Sequence, residues 1–303
     1  MPRIFVLLNA GSGRGHDETL THDVHDLFVS AGMPAEVCLV RGGEELAARI
    51  ANAISRHADV VVAGGGDGTV STVAAMLVGG DIALGILPLG TLNHFAKDLG
   101  VPLELDAAVR QIAAGRRTRV DVGEVNGRIF VNNSSLGLYP DIVHERERQR
   151  KRIGRGKWLA LLWATVTALR RYPFLSVCLS VEGRAYRRRT PFVFIGNNQY
   201  RIDGFAMGER ESLTGGHLSL YATQRAGRLR LVQLALRSLV GQLKQARDFD
   251  VLLATEIVIE SRHHQLRVAT DGETTVMRPP LTYRIRPASL TVLGAASPGQ
   301  PDR

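Results

Sequence analysis

Four short apolar runs, Arg3 to Asn9, Ala35 to Val40, Asp59 to Ala63 and Ile82 to Leu87, alternate with stretches of helical periodicity at 17–31, 43–57 and 69–78. Runs that are continuously apolar mark strands buried on both faces, and parallel strands need crossovers of about this length between them. The first third of the chain is therefore expected to be α/β, a Rossmann-like three-layer domain with a parallel sheet at its centre. A helix at about 106–115 closes it. Beyond Arg119 to Gly123 the pattern turns into short strand candidates: Arg128 to Ser135, Phe174 to Val181, Phe192 to Ile195, His217 to Ala222, Glu256 to Ile259, Leu266 to Thr270 and Thr282 to Ile285. Helical stretches at about 155–171 and 227–246 interrupt them. At 303 residues the chain has room for two cores. The expected domains are 1–124 (α/β) and 125–296 (β-rich), with a tail at 297–303.

Hydrophobic residues at 45% and charged ones at 22% exclude both a disordered chain and an integral membrane protein. No run of ~18 apolar residues exists, and Ile4 to Leu8 is too short for a secretory signal, so an intracellular protein is expected. Cys38 and Cys178 stand far apart in strand-like runs; they are expected to be two buried free thiols rather than a disulfide or zinc framework. A net charge of +9 favours anionic partners without choosing among nucleic acid, phosphate ligands and membranes.

The richest segment is the apolar run Val60 to Ala63 followed by Gly64-Gly65-Gly66-Asp67-Gly68-Thr69 and a helix. Glycines let backbone N–H groups converge on an anion without Cβ obstruction, and the helix N-terminus adds its dipole. Asp67 would repel a bare phosphate, which points to Mg²⁺ between it and a nucleotide. A second loop, Leu87 to Ala96, offers Gly90 for close approach and Thr91 and Asn93 as neutral hydrogen-bonding groups. A third, Asn9 to Gly15, has no final glycine of a dinucleotide fingerprint, since position 16 is His, and no acidic residue ends the second strand; a Rossmann NAD(P) site is excluded. Far downstream, Asp271-Gly272-Glu273 ends an apolar run. Its two carboxylates suit general base work on an alcohol, although D-G is also a hairpin signal.

Taken together, Asn9 with Gly11-Ser12-Gly13, Gly65 to Thr69, Leu87 to Thr91 with Asn93 and Phe95-Ala96, Asp121 with Gly123, and Asp271-Gly272-Glu273 resemble the diacylglycerol kinase catalytic family, which includes bacterial soluble lipid kinases and sphingosine kinases. The resemblance implies ATP and Mg²⁺ in a cleft between an N-terminal α/β domain and a C-terminal β-sandwich, with a lipid hydroxyl as acceptor. It implies nucleotide contacts from Asn9, Gly11, Ser12, Gly13, Gly64, Gly65, Gly66, Asp67, Gly68, Thr69, Val70, Gly90, Thr91 and Asn93, a metal at Asp67, Asp271 as general base and Glu273 as its companion. One departure stands out. Where the family often carries D-G-x-L-D to hold a structural Mg²⁺, this chain reads Gly215-Gly216-His217-Leu218-Ser219. A threonine more usual after the second strand is also replaced, by Arg41-Gly42.

The reading that follows is a cytoplasmic ATP-dependent lipid kinase of diacylglycerol-like lipids, meeting the inner membrane face peripherally, with no nucleic-acid partner and compatible with a homodimer. NAD kinase activity and a catalytically silent nucleotide- or lipid-binding regulator are the alternatives. The basic run Arg146 to Lys157, followed by Trp158 and Trp163, reads as either a solvated helix face or the membrane contact. The pairs His16 with His22 and His263-His264 read as surface residues.

Overall fold

The computed structural model describes residues 2–13, 15–137, 175–190, 192–203, 206–222 and 250–294. The chain divides into two compact units, one of Met1–Val122, Ser212–Thr214 and Arg286–Arg303, the other of Gly123–Glu211 and Gly215–Ile285.

In unit 1 the apolar runs become the parallel strands β1 (Ile4–Asn9), β2 (Ala35–Val40), β3 (Val60–Gly65) and β4 (Ala83–Pro88), in the order β2-β1-β3-β4. β3 and β4 are buried at every position, as strands covered on both faces must be. The helices are α1 (Glu18–Ser30), α2 (Gly43–Ser55), α3 (Asp67–Leu77), the short α4 (His94–Asp98) and α5 (Leu105–Ala113). α1 packs on β2 and touches α5, while α2 packs on β1 and touches α3, so one pair covers each face of the sheet. Asp17 starts α1 by accepting the Thr19 N–H at 3.1 Å, an N-cap interaction of about 1 kcal/mol.

Unit 1 is completed by the far end of the sequence. β18 (Leu281–Leu293) begins in unit 2 and ends in unit 1, where Val292 pairs in parallel with Leu84 and Gly79 donates to the Ser289 carbonyl at 2.8 Å. Asp121, only 2% exposed, accepts the Ala288 N–H at 2.8 Å and so ties this return to β5 (Arg117–Val125).

Unit 2 is a β-sandwich. One sheet places β15 (Glu256–Ser261) between β18 and β8 (Leu175–Val181), with β9 (Arg184–Thr190) at its edge; the other runs β14 (Asp250–Ala254), β13 (Leu218–Ala222), β10 (Phe192–Asn197), β7 (Asn133–Gly137), β16 (Leu266–Thr270), β17 (Glu273–Met277). β6 (Arg128–Phe130) pairs with the end of β5, and β11 (Tyr200–Asp203) with β12 (Ala206–Arg210). Period-2 alternation builds the core: Val193 and Ile195 of β10 join Val177, Leu179, Leu218 and Leu220 in one cluster, whereas Phe194 between them packs with Tyr200 and Tyr221 on the other face. Each such side chain removed from water contributes about 1.5–3 kcal/mol.

The single strand expected over Arg128 to Ser135 is two, β6 and β7, broken at Val131-Asn132. Strands β9, β11, β12, β14 and β17 are additional to those the sequence pattern predicts; of these β14 does carry an apolar run, Val251 to Ala254, and the other four carry none of that length. The thiols of Cys38 and Cys178 are free and half-buried rather than buried. Among the described residues no helix is long and apolar enough to cross a membrane.

Candidate active site

Three loops at the C-terminal ends of β1, β3 and β4 come together in unit 1. Their contact is so close that side chains are excluded: a Cβ on Gly90 would lie 2.3 Å from the Gly66 Cα, and one on Gly13 would lie 2.7 Å from the Leu89 carbonyl oxygen. Polar side chains fasten the loops. Asn9 donates from Nδ2 to Thr69 Oγ1 at 2.8 Å and accepts the Gly11 N–H on Oδ1 at 3.0 Å; the Gly66 N–H reaches Ser12 Oγ at 3.4 Å. Asn93, in the left-handed region at φ 51°, accepts the Gly90 N–H and donates to the carbonyls of Pro88 and Gly90.

This bonding sorts the expected nucleotide residues. Asn9, Thr69 and Asn93 use their side chains to build the cradle. Val70 is buried and its N–H is taken by the Gly66 carbonyl at 3.1 Å, so it offers a ligand nothing. Gly64 and Gly65 end β3, and Gly66 caps α3, whose first-turn N–H groups at Asp67, Gly68 and Thr69 have no partner within the helix. These amides, with the loop of Gly11, Ser12 and Gly13 and the exposed Thr91 beside Gly90, form a concave set of donors and small residues suited to phosphate oxygens. Asp67 stands at the head of α3, its Oδ1 accepting the Phe95 N–H at 3.3 Å. One carboxylate next to amides with no partner within the helix fits Mg²⁺ of the kind that arrives with a nucleotide, keeping most of its ligands as phosphate and water.

In unit 2, Asp271-Gly272 is the two-residue turn of the β16–β17 hairpin, with Thr270 paired to Glu273 and both turn residues at positive φ (49° and 88°). The hairpin reading of D-G is thus correct, and the turn does more. The Asp271 carboxylate accepts three backbone N–H groups, from Val131 at 2.8 Å, Asn132 at 2.8 Å and Asn133 at 3.1 Å, where the chain breaks between β6 and β7. Carbonyls of the same break are met by Asn197 Nδ2, the Arg210 guanidinium and the Tyr200 hydroxyl. A buried stretch of irregular backbone is in this way hydrogen-bonded throughout, as burial demands. Glu273 is 61% exposed; its Oε2 pairs with Arg128 at 2.7 Å, and the same guanidinium donates to Thr270 and Thr275. Sequence reasoning missed Arg128, because its partners lie more than a hundred residues away with no local pattern to signal them.

The Gly215 to Ser219 stretch does not fit a structural Mg²⁺. It holds no carboxylate, the Gly215 carbonyl is bonded to His217 Nδ1 at 2.7 Å, and Ser219 Oγ donates to the Asn198 carbonyl at 2.5 Å. An aspartate at 215 would require the Asn198 side chain to shift, since its Cβ would lie 2.8 Å from Asn198 Oδ1. Among the described residues no cluster of three or more His, Cys, Asp or Glu side chains is placed to hold a metal. The expectation that His16 is a surface residue is corrected: its Nε2 is buried beside the first glycine loop. The basic run Arg146 to Lys157 and the two tryptophans after it lie outside the described residues.

Residues 3–125 match the family described as diacylglycerol kinase catalytic domain, and residues 141–294 the one described as YegS C-terminal NAD kinase beta sandwich-like domain. A Klebsiella pneumoniae protein named "Probable lipid kinase YegS-like" is 33% identical over 153 residues, 50% of this chain and 50% of its own. A diacylglycerol kinase of Staphylococcus saprophyticus is 29% identical over 153 residues with the same shares. The chain spans about half the length of the curated relatives it matches. The crystal structure of a diacylglycerol kinase from Bacillus anthracis aligns over 97% of both chains with a TM-score of 0.71 at 20% identity, a likeness of fold.

Proposed function

The chain belongs to the diacylglycerol kinase catalytic family, with the YegS-type β-sandwich as its second part, and from that premise we propose that it transfers the γ-phosphoryl group of ATP to a hydroxyl of a diacylglycerol-like lipid. The observation that carries this reading is the unit 1 cradle: three glycine loops too closely packed for a Cβ, with Asp67 at the head of α3. Loop amides at Gly68 and Thr69 and the small residues Gly11 to Gly13 hold the phosphates, and Asp67 holds Mg²⁺ against them. The metal supplies positive charge that offsets the negative charge of the transferring group.

The two carboxylates of the β16–β17 turn divide the remaining work. Asp271 was expected to be the base, but both its oxygens already accept backbone N–H groups, which suits it to fixing the turn. Glu273 is exposed and keeps Oε1 outside its bond to Arg128, so it takes the alcohol proton while Arg128 sets its direction. In a loose transition state the proton leaves late, and a weak base suffices. We place the enzyme at the inner membrane face, in peripheral contact with its lipid.

The likeness of residues 141–294 to an NAD kinase-like β-sandwich favours one further reading, phosphorylation of a ribose hydroxyl of NAD. Incubation with isotopically labelled ATP and Mg²⁺, offering a total lipid extract and NAD in parallel, separates the two. Label in a lipid product is expected. Label in NADP alone would establish the other reading, and saturable ATP binding without turnover would make the protein a silent regulator.

A further inference from the structure

At one edge of the unit 2 sandwich the strands that end the two sheets among the described residues, β9 and β14, border an open cavity of about 170 Å³. Its walls are apolar, from Leu179, Tyr186, Leu220, Val251 and Leu252, and Arg188 stands among them with its guanidinium over the Tyr186 ring at 5.6 Å. β9 reads Arg-Ala-Tyr-Arg-Arg-Arg-Thr, four cations in seven residues and no carboxylate. Pairing with β8 puts Tyr186 opposite Leu179 and Arg188 opposite Val177, both core residues, so Arg184 and Arg188 share the cavity side of the strand while Arg187 and Arg189 take the other.

Protection of a sheet edge explains an inward charge on β9. It does not explain why the charge lines an apolar cavity, or why three more cations accompany it. Inorganic phosphate or a nucleic acid would use the arginines and leave the cavity without a role. An amphiphile with an anionic head uses both. We propose that the β9–β14 edge binds an anionic phospholipid of the membrane surface, with the end of an acyl chain in the cavity and the phosphate on Arg184 and Arg188, the two arginines of the cavity side.

This site is separate from the Glu273 turn. β14 and β17 are opposite edges of the six-stranded sheet, five strand spacings or about 24 Å apart. The bound lipid is therefore an anchor, not the acceptor, and the inference stands or falls on binding alone, whatever the protein phosphorylates.

Flotation of the full chain with phosphatidylcholine vesicles, with and without phosphatidylglycerol, tests it. The exposed reversal R184E is expected to keep the wild-type melting midpoint and to lose about tenfold or more in affinity for the anionic vesicles. Leu252→Gln, which leaves the charge unchanged, should weaken binding of monomeric dihexanoylphosphatidylglycerol about threefold or more. Wild-type binding by R184E would overturn the proposal. So would equal binding to neutral vesicles, or displacement from anionic vesicles by an oligonucleotide or by inorganic phosphate at matched phosphate concentration.

Discussion

Asp271 and Glu273 sit two residues apart in one turn, yet their surroundings ask different things of them. Asp271→Asn keeps a residue that tolerates positive φ, so the turn itself is not strained. What it loses is an anion facing three N–H groups: the new amide turns a donor toward at least one of them, at a cost of about 2–4 kcal/mol. Glu273→Gln removes one exposed ion pair and should change stability by no more than about 0.5 kcal/mol, while turnover falls roughly 10²–10⁴-fold with loss of the base. Thermal unfolding and turnover of both variants check the division of roles. A stable, inactive Asp271→Asn beside an active Glu273→Gln would return the base role to Asp271. At this scale the sequence made the glycines and carboxylates legible, because their chemistry is local. It did not show that Asn9 and Thr69 spend polar atoms on each other, since that bond joins residues distant in sequence, or that Asn93 spends its own on closing the loop it belongs to.

Elements were legible where burial is two-sided. β1, β3 and β4 and the helices between them follow the apolar pattern within a few residues, and the edge strand β2, buried only at Val40, was legible from its apolar run alone. β9 and β17 did not, because an edge or hairpin strand buries few of its side chains and needs no apolar run; β17 is exposed at three of its five positions. The β6–β7 break was hidden for another reason: its backbone is satisfied from β10, β12 and the β16–β17 turn. The contact of the β3 and β4 loops carries a prediction. Gly90→Ala forces its Cβ onto the Gly66 backbone, which cannot rotate away as a side chain would, so stability should fall by about 1–3 kcal/mol. Binding of a non-hydrolysable ATP analogue, measured by calorimetry, should weaken about tenfold or more as the cradle opens. Gly43→Ala is the matched control, an open helix position where alanine should add up to about 1 kcal/mol. The sandwich core carries another. Burial pushes the Tyr283 hydroxyl well above the usual phenol range, partly offset by its bond to Ser134. The unfolded chain releases that proton near pH ~10 and the folded one keeps it, so stability is intact below ~10 and declines above it by up to about 1.4 kcal/mol per pH unit. Urea titrations from pH 9 to 11 should show this decline, and Tyr283→Phe should make it shallower, leaving the part that Tyr221 and Cys38 contribute, since burial raises both; an equal decline in the variant would assign it to those groups.

For the whole molecule, the sequence made two units and their classes legible but not the return of β18, whose single run Leu281–Leu293 serves unit 2 up to Ile285 and unit 1 from Arg286. Nothing in its composition marks the change. The same scale decides what a metal does here. Mg²⁺ sheds water reluctantly and needs anionic oxygens, and the only oxygens at Gly215 and Ser219 are neutral and already hydrogen-bonded. Asp67 offers a single carboxylate, too little without phosphates beside it. Folding should therefore be indifferent to Mg²⁺, and nucleotide binding should not be. Without nucleotide, the melting midpoint is expected to agree within about 1 °C in EDTA and in Mg²⁺. With a non-hydrolysable ATP analogue, Mg²⁺ should raise the midpoint, by an amount equivalent to about 2.7 kcal/mol at a hundred times Kd. Asp67→Asn should retain the first result and lose most of the second. A fall of many degrees on chelation of the nucleotide-free protein would show that a cation holds the fold after all, and an unchanged response in Asp67→Asn would move the metal away from the head of α3.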